Sequence, residues 1–463
     1  MNHYAFIPVE VFTRSFKSRF RIAYEFARLG GTAIVGDQRE VKYLLSKIDQ
    51  PVSLLSKGEP PTEPSIDLVS LYKKKGFQLF LLDEEGGIVD KDGQILQFRY
   101  DIRISALYDQ IYLWGDKQKS LLAKYFPNLK QLLVSGNPRF DTLHYELQTF
   151  LGDGPLKDFL GSFNKTVSVN TSFPAGNTKQ STEDFLKMFK NLLREHYSER
   201  KARMHVAHHN LLHHYFCELI EFMATDFPSI GIIIRPHPSE NEVPYMALQE
   251  KYVNVYVDAG RKYEAGYMSK ICDLTIHHDC TTGIEALMSN SKVVSYAPYE
   301  NELSQPVPLK STLKVGSYEE VKSLLLDILD DKDHREYNLP ESKLIRSFIQ
   351  NYKSSKNTAE VIATDIYSKS IATDGIDLLA LKSELAELEL RKNSKFRSAI
   401  RKIIRSNGNG DAEKYINSKR GSIDSEDVAS LFQNLEAQDS REEIYYKALS
   451  ARTYVLYSGG KAL

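Results

Sequence analysis

The sequence predicts an α/β protein with two doubly wound domains, each a parallel sheet covered by helices on both faces. Short continuous apolar runs such as "TAIVGD" (32–37) alternate with segments of helical periodicity, which is typical of buried parallel strands. The pattern restarts near residue 165, and 463 residues are too many for one ordinary core. We therefore predict domains at 1–155 and 160–370 and a helical appendage at 375–463.

The first domain contains strand candidates separated by helical patterns. Residues 18–31 are predicted to form a helix that ends in glycine. The strand candidates are residues 4–10, 32–37, 52–56, 77–83, 110–115 and 131–136.

The second domain begins at the strand "KTVSVNTSF" (165–173) and repeats this alternation. A long helical region is predicted to follow from Ser181, which we expect to form a capping box with Asp184. The later elements are strands at 231–237, 253–260, 272–279 and 292–298, a helix from Thr282, and helices at 318–331 and 341–369. Because ligands of open α/β sheets bind at the carboxyl ends of the strands, we expect the two domains to face a ligand cleft.

Composition and charge narrow the class of protein. Hydrophobic residues make up 42% of the chain and charged residues 26%, as in soluble globular proteins, and the net charge of −1 argues against a nucleic-acid partner. Three scattered cysteines do not form a disulfide framework or a thiolate metal site. Neither a signal peptide nor a membrane span is recognisable, so we expect a cytoplasmic protein.

The appendage is rich in Leu, Glu, Lys, Arg and Ser, and it is predicted to be helical with a break at 406–411. Residues 391–406 carry seven Lys or Arg side chains among apolar ones. As a basic amphipathic helix this segment suits peripheral contact with the inner face of the cytoplasmic membrane. A helix packed on the main body with a solvated basic face explains the pattern equally well.

The strand in "IIIRPHPSE" (232–240) ends in two side chains that can be cationic. Arg235 and His237 are predicted to point into the cleft, where they suit a phosphate ester. Pro236 and Pro238 restrict the backbone around the imidazole. The alternative is that Arg235 pairs with a surface carboxylate.

In "HHDCTTGIEAL" (277–287) a strand is predicted to turn into a helix at Thr281, Thr282 and Gly283. Free N–H groups, the helix dipole and the hydroxyls make an anion site there, and the glycine lets a phosphate approach closely. Glu285 is a candidate acceptor for ribose hydroxyls. Alternatively, Thr281 is only an N-cap and Glu285 a charge that suits the dipole.

Candidate catalytic residues lie in the first domain. "LLDEEGGI" (81–88) places Asp83, Glu84 and Glu85 after a strand, suited to acid/base or covalent catalysis. Crowding of these carboxylates should raise at least one pKa. A solvated acidic turn is the alternative.

Asp141 in "GNPRFD" (136–141) is a further catalytic candidate, although Asn-Pro also marks a plain turn. Residues expected on the acceptor or sugar side are Glu10, Arg14, Asn137, Arg139, Asn170 and Ser172. Glu10 and Arg14 follow the first strand as a charged pair.

Histidines recur in "HVAHHNLLHH" (205–214). His205, His209 and His213 share one helical face, where two of them could bind zinc. Because no carboxylate or cysteine completes an obvious site, we expect no metal and interpret the histidines as a polar helix face or an acceptor contact.

The order of six motifs resembles that in bacterial surface-carbohydrate biosynthesis proteins of the GT-B type. The motifs are "IPVEVFTRSF", "LDEEG", "YLWGDKQ", "GNPRFD", "RPHPSE" and "HHDCTTGIEAL", and the resemblance covers about residues 4–350. These proteins are related to capsule Kdo transferases and, more distantly, to polysialyltransferases and CDP-glycerol polymerases. The resemblance implies a GT-B fold of two Rossmann-like domains.

The resemblance also implies roles for particular residues. Relatives that use CMP-sugars bind the nucleotide through a His-Pro motif and a later Ser/Thr motif, which correspond here to 237–238 and 281–282. Cys280 stands where serine or threonine is expected. The Kdo transferases use an acidic cleft residue, which corresponds only loosely to 83–85 or Asp141, and residues after 375 have no counterpart.

The function implied is transfer of Kdo or another nonulosonate from a CMP donor to a glycan or lipid-linked glycan of the capsule or lipopolysaccharide, with no cofactor. Three alternatives stay open: a UDP-sugar 2-epimerase-like enzyme, a CDP-glycerol glycerophosphotransferase and a non-catalytic glycan-assembly scaffold.

Overall fold

The computed structural model describes residues 2–60, 62–86, 93, 96–144, 154–193, 198–260, 263–335, 337, 342–352, 357–393, 425–438 and 443–459. The chain divides into two compact α/β units, which confirms the predicted fold class. The first unit comprises Met1–Gly86, Arg99–Thr142 and Ile349–Leu463, and the second comprises Gly87–Phe98 and Leu143–Phe348. Among the described residues, no helix has the length and apolarity needed to cross a membrane.

The strands and the helices alternate along the chain. From the N-terminus they are β1 (Tyr4–Val9), α1 (Phe12–Arg28), β2 (Thr32–Asp37), α2 (Gln38–Ser46), β3 (Ser53–Ser56), α3 (Glu63–Lys74), β4 (Gln78–Leu82), α4 (Leu96–Arg99), α5 (Ile102–Ser105), β5 (Gln110–Leu113), α6 (Asp116–Tyr125), β6 (Leu132–Val134) and α7 (Pro138–His144). Next come α8 (Pro155–Gly161), β7 (Lys165–Asn170), α9 (Thr182–Leu193), α10 (Glu199–Asp226), β8 (Ile230–Arg235), α11 (Val243–Lys251), β9 (Val255–Val257), α12 (Ala265–Ile271), β10 (Leu274–His277), α13 (Thr281–Met288), β11 (Val293–Tyr296), α14 (Pro306–Ser311), β12 (Leu313–Val315), α15 (Tyr318–Leu329) and α16 (Ser342–Phe348). The last elements are α17 (Thr358–Lys369), α18 (Leu378–Asn393), α19 (Ser425–Gln438), β13 (Ile444–Ala448) and β14 (Thr453–Ser458).

The first unit is built on an eight-stranded sheet with the order β13-β14-β2-β1-β3-β4-β5-β6. Strands β1 to β6 are parallel, and the chain reverses its direction of travel across the sheet between β1 and β3. Helix α1 buries Phe12, Phe16 and Phe20, which recur every four residues and therefore share one helical face.

Helix α17 belongs to this first unit, although the sequence analysis assigned residues up to 370 to the second domain. Its residues Ala359, Ile362 and Ile366 are fully buried in the same core as α1. The apolar face of α17 is thus covered by α1 and the first sheet.

The prediction of a wholly helical C-terminal region is wrong for the last described residues. Strands β13 and β14 form an antiparallel hairpin, and β14 pairs antiparallel with β2. The hairpin therefore extends the first sheet. The basic segment 391–406 lies outside the described residues, apart from the backbone of 391–393 at the end of α18.

The second unit contains a six-stranded parallel sheet with the order β12-β11-β10-β7-β8-β9. Counted from β7 as the first strand, this is the 3-2-1-4-5-6 order of the Rossmann fold, with its switch point between β7 and β10. The long helix α10 covers one face through Leu212, Phe216 and Ile220. One half of the predicted Ser181–Asp184 capping box is confirmed, since the Asp184 N–H donates to the Ser181 hydroxyl at 3.1 Å, and the Asp184 carboxylate accepts from that hydroxyl at 2.6 Å.

Candidate functional site

Three loops of the second unit meet at the carboxyl edge of its sheet. They follow β7, β8 and β10, which end at Asn170, Arg235 and His277. These strands are adjacent and parallel, with Asn170 paired to Arg235 and Val169 paired to Ile276. The segments that the sequence analysis singled out, 235–238 and 281–285, therefore leave the same edge on either side of β7.

Glu240 joins the loop after β7 to the loop after β8. Its carboxylate accepts from the Thr171 hydroxyl at 2.5 Å, the Tyr245 hydroxyl at 2.8 Å and the backbone N–H of Phe173. The side chain is fully buried, and burial outweighs these donors and raises its pKa to about 7. Sequence reasoning gave this residue no role, although it is the acid that closes the quoted "RPHPSE" motif.

Arg235 is held by a buried carboxylate rather than by the surface carboxylate considered as the alternative. Its Nε donates to Asp258 at 3.0 Å and its Nη2 to the Tyr263 carbonyl at 2.5 Å. The remaining Nη1 is buried and has no hydrogen-bond partner among the described residues. The guanidinium is thus fixed in place, and its Nη1 is available to donate to a ligand.

His237 is half-buried between Pro236 and Pro238. Its Nδ1 accepts from the backbone N–H of Ser239 at 3.2 Å. In the neutral ring the proton is therefore on Nε2, which makes that atom a hydrogen-bond donor.

The turn into α13 differs in detail from the predicted anion site. Cys280, not Thr281, is the N-cap residue, and its sulfur lies 2.7 Å from the Thr282 hydroxyl. A Cβ at Gly283 would overlap the ring of His277, so this glycine accommodates an imidazole. The His277 ring fills the space that a side chain at position 283 would occupy. On this face of Gly283, the predicted close approach of a phosphate is therefore wrong.

Two other residues of this turn are enclosed by protein. His277 is fully buried, and its Nε2 lies 3.1 Å from the Thr312 hydroxyl. Burial lowers its pKa to about 3, so the ring is neutral. Glu285, the candidate for ribose hydroxyls, is also buried within α13.

Several polar atoms near this edge have no hydrogen-bond partner within the described part of the chain. Besides the Nη1 of Arg235, these are the side-chain nitrogen of Asn170, the hydroxyl of Ser239, the Nε2 of His278 and both ring nitrogens of His208, and each is unpaired among the described residues. Buried polar groups are nearly always hydrogen-bonded, so such a concentration indicates a site completed by ligand or water. Ser172 lies half-buried in the loop after β7.

The histidines of α10 do not form a metal centre within the part of the chain that is described. His205 and His209 share a face, with ring centroids 4.2 Å apart, whereas His213 contacts the Cys217 sulfur at 3.5 Å. His208, which the periodicity argument passed over, is the buried member of the group.

In the first unit, the acidic cluster after β4 is largely paired. Glu84 accepts from Arg19 at 2.7 Å and from the Ser15 hydroxyl at 2.8 Å. Burial opposes its ionisation, but the charges of Arg19 and Arg14 and these hydrogen bonds outweigh burial and lower the pKa to about 2. Glu84 is therefore not the carboxylate of this cluster whose pKa crowding raises.

The two neighbouring acids differ in exposure. Asp83 is buried and accepts from the Tyr100 hydroxyl at 3.3 Å. The side chain of Glu85 is 49% exposed, with carboxylate oxygens 3.4 Å from Arg14 and 3.6 Å from Arg99. Glu85 is thus the accessible carboxylate of the cluster.

Asp141 caps α17. Its Oδ2 accepts from the backbone N–H groups of Thr358 at 2.7 Å and Ala359 at 3.1 Å, and its Oδ1 accepts from the Asn351 amide at 2.7 Å. Burial nevertheless raises its pKa to about 6. These contacts assign Asp141 a structural role at the helix terminus.

The other first-unit candidates also make contacts within the protein. Asn137 exchanges hydrogen bonds with Asn351, and Arg139 is buried over the Trp114 ring at 5.4 Å. Glu10 pairs with Lys57 at 2.5 Å.

Comparisons with known proteins add similarity of fold alone. No protein-family model matches the chain, and no curated protein matches it.

Solved structures align over most of the chain at low identity. A putative UDP-N-acetylglucosamine 2-epimerase from Listeria monocytogenes is 12% identical over 80% of this chain and 96% of that one, with a TM-score of 0.46. The wall teichoic acid polymerase TagF is 12% identical over 79% and 88%, with a TM-score of 0.45. A UDP-GlcNAc 2-epimerase from Methanocaldococcus jannaschii is 10% identical over 80% and 99%, with a TM-score of 0.46. At these values the similarities carry no argument about function.

Proposed function

We propose that the protein is a glycosyltransferase that moves Kdo or another nonulosonate from a CMP donor to a surface glycan. One observation carries the proposal: three strand-end loops, including the His-Pro and Thr-Thr segments, leave one edge of a Rossmann-ordered sheet, and Glu240 ties two of them together. This is the edge at which open α/β sheets bind ligands.

The donor's phosphate is the group that this edge suits. Among the described residues, the buried Nη1 of Arg235 has no hydrogen-bond partner, and in its neutral form the His237 ring carries its proton on Nε2. The hydroxyls of Thr281 and Thr282 lie in the first turn of α13, where backbone N–H groups add positive potential. Donors fixed in this way stabilise the charge that develops on departing CMP, without requiring a divalent metal.

In the reaction, the bond between the anomeric carbon and the phosphate oxygen breaks, and a bond from the acceptor oxygen forms. The acceptor proton passes to a carboxylate that acts as base, or a carboxylate first attacks the anomeric carbon. Among the candidates, Glu85 fits this role best because its carboxylate is half-exposed. Glu84 and Asp141 are occupied by Arg19 and by the N-terminus of α17.

A nucleotide panel tests the donor class. We expect CMP to raise the thermal unfolding temperature selectively over CDP, UDP and GDP, because ligands stabilise the state that they bind. Selective stabilisation by UDP would instead favour an epimerase-like enzyme, and stabilisation by CDP a glycerophosphotransferase. No response to any of the four would favour a non-catalytic scaffold.

His237→Ala tests the assignment of the phosphate clamp. We expect turnover of a CMP-nonulosonate to fall by about 100-fold, in the range found for losing one donor to developing charge, with an unchanged unfolding temperature. His214→Ala is the matched control, because its side chain on α10 is 68% exposed. Near-normal turnover in His237→Ala would remove this residue from the site.

A further inference from the structure

Two buried histidines lie against each other at the carboxyl edge of the second sheet. His278 directly follows β10 and His208 lies in α10, with ring centroids 6.1 Å apart. Their exposures are 1% and 3%. The ring of Phe173, in the loop after β7, is 6.5 Å from that of His278. The pair therefore lies at the switch point between β7 and β10.

The hydrogen bonds of His278 fix its tautomer. Its Nδ1 is 2.9 Å from the carbonyl oxygen of Tyr296, and a carbonyl only accepts, so Nδ1 carries the proton. In the neutral ring Nε2 is then an acceptor. It has no hydrogen-bond partner among the described residues, and the Asp279 carboxylate lies 3.8 Å away.

His208 supplies the complementary group. Neither of its ring nitrogens has a partner among the described residues, and a neutral imidazole has one N–H donor and one acceptor. Burial lowers the pKa of His208, which favours the neutral ring. In their neutral forms the two rings thus offer an acceptor on His278 and a donor on His208, neither of which has a partner in the described part of the chain.

A hydroxyl group matches this pair. It donates to one nitrogen and accepts from the other, whereas phosphate or carboxylate oxygens only accept and leave the Nε2 of His278 unsatisfied. An apolar side chain at either position would avoid unpaired polar atoms. The presence of two imidazoles therefore points to a polar ligand group.

We propose that His208 and His278 bind one hydroxyl group of the nucleotide-sugar, an inference that rests on the function proposed above. The hydroxyl belongs to the ribose or to the transferred sugar. These nitrogens, which have no partner among the described residues, have no exposed surface, so a neighbouring side chain must move to admit the ligand. We expect this side chain to be Tyr299, which is 41% exposed with its ring 5.6 Å from that of His208.

The test compares binding of CMP, 2′-deoxy-CMP and 3′-deoxy-CMP by calorimetry, and KM for hydrolysis of CMP-Kdo, using the full chain. The variants are His208→Phe and His278→Asn, the second of which keeps a donor for the Tyr296 carbonyl. His214→Phe, on the exposed face of α10, is the control. Thermal unfolding checks folding, and His208→Gln replaces His208→Phe if that variant unfolds.

If the ribose supplies the hydroxyl, the wild-type protein binds one deoxy nucleotide about tenfold more weakly than CMP, as expected for one lost hydrogen bond. Both variants then bind CMP about tenfold more weakly and no longer discriminate. If the sugar supplies it, affinities for CMP stay unchanged, and KM for CMP-Kdo rises about tenfold in both variants.

Wild-type values for both CMP affinity and KM in both variants would overturn the inference and leave the proposed function standing. Absence of CMP binding to the wild-type protein would reject the proposed function, and the inference with it.

Discussion

Two carboxylates that follow strand ends, Glu84 in the first unit with 12% of its side chain exposed and the fully buried Glu240 in the second, ionise in opposite ways. The pKa of Glu84 is lowered to about 2, and that of Glu240 is raised to about 7. Both accept hydrogen bonds, but the main donor to Glu84 is the cation of Arg19, whereas Glu240 has the neutral donors Thr171, Phe173 and Tyr245. A nearby opposite charge offsets desolvation, and neutral donors do so only in part.

The difference distinguishes first-unit carboxylates that have partners within the protein from second-unit side chains with polar atoms that have none among the described residues. In the first unit, Glu84 accepts from Arg19, and Asp141 accepts from backbone N–H groups at the start of α17. In the second unit, the described residues leave Arg235 and His278 with unpaired polar atoms. We infer that the second edge is the one completed by a ligand.

The largest expected effect comes from removing the ion pair between Arg19 and Glu84 in the first unit. Arg19→Met should lower the free energy of unfolding by about 3–5 kcal/mol, because Glu84 stays buried without its cation. Chemical denaturation measures the change. In the control Arg203→Met, which removes an exposed pair with Glu199, stability should hardly change. If Arg19→Met were equally mild, the pairing would not explain the low pKa of Glu84.

The second test uses pH. The folded-state pKa of Glu240 lies above the unfolded value near 4.5, so the folded protein binds the proton of this carboxyl more tightly than the unfolded chain does. The resulting contribution to the free energy of unfolding is complete below about pH 4.5 and is lost as pH rises through about 7. The expected loss is on the order of 3 kcal/mol. Unfolding free energies from pH 4.5 to 8 should fall more steeply in the wild-type protein than in Glu240→Gln, which does not titrate. Parallel curves would contradict the raised pKa.

The third prediction, with the smallest expected effect on stability, tests which part of the second edge is filled by packed side chains rather than by ligand. Gly283→Ala should cost about 1–3 kcal/mol of stability, because the new methyl group overlaps the buried ring of His277. Gly161→Ala is the control, since a Cβ there meets nothing within 4 Å. Combining Gly283→Ala with His277→Ser should recover part of the loss. Without such recovery, the imidazole is not what requires glycine.

Much of the fold could be predicted because buried parallel strands must be apolar on both faces. Strands β1 and β8, for example, lie within the predicted 4–10 and 231–237 apart from one residue at the start of β8. The terminal hairpin was missed although "YYKALSARTYVLYS" is rich in strand-forming residues. Only one of its strands is largely buried, and that strand pairs with the distant β2.

The sequence by itself determined which side chains end the strands, because an apolar run that stops at Arg235 or at His277 marks the edge of a sheet. Tertiary structure alone decided what those side chains contact. Arg19 meets a carboxylate 65 positions away, Asp141 an amide 210 positions away, and Glu240 a hydroxyl 69 positions away. Composition and periodicity carry no information on such distances, and the partner of a buried charge is what sets its pKa and its availability to a ligand.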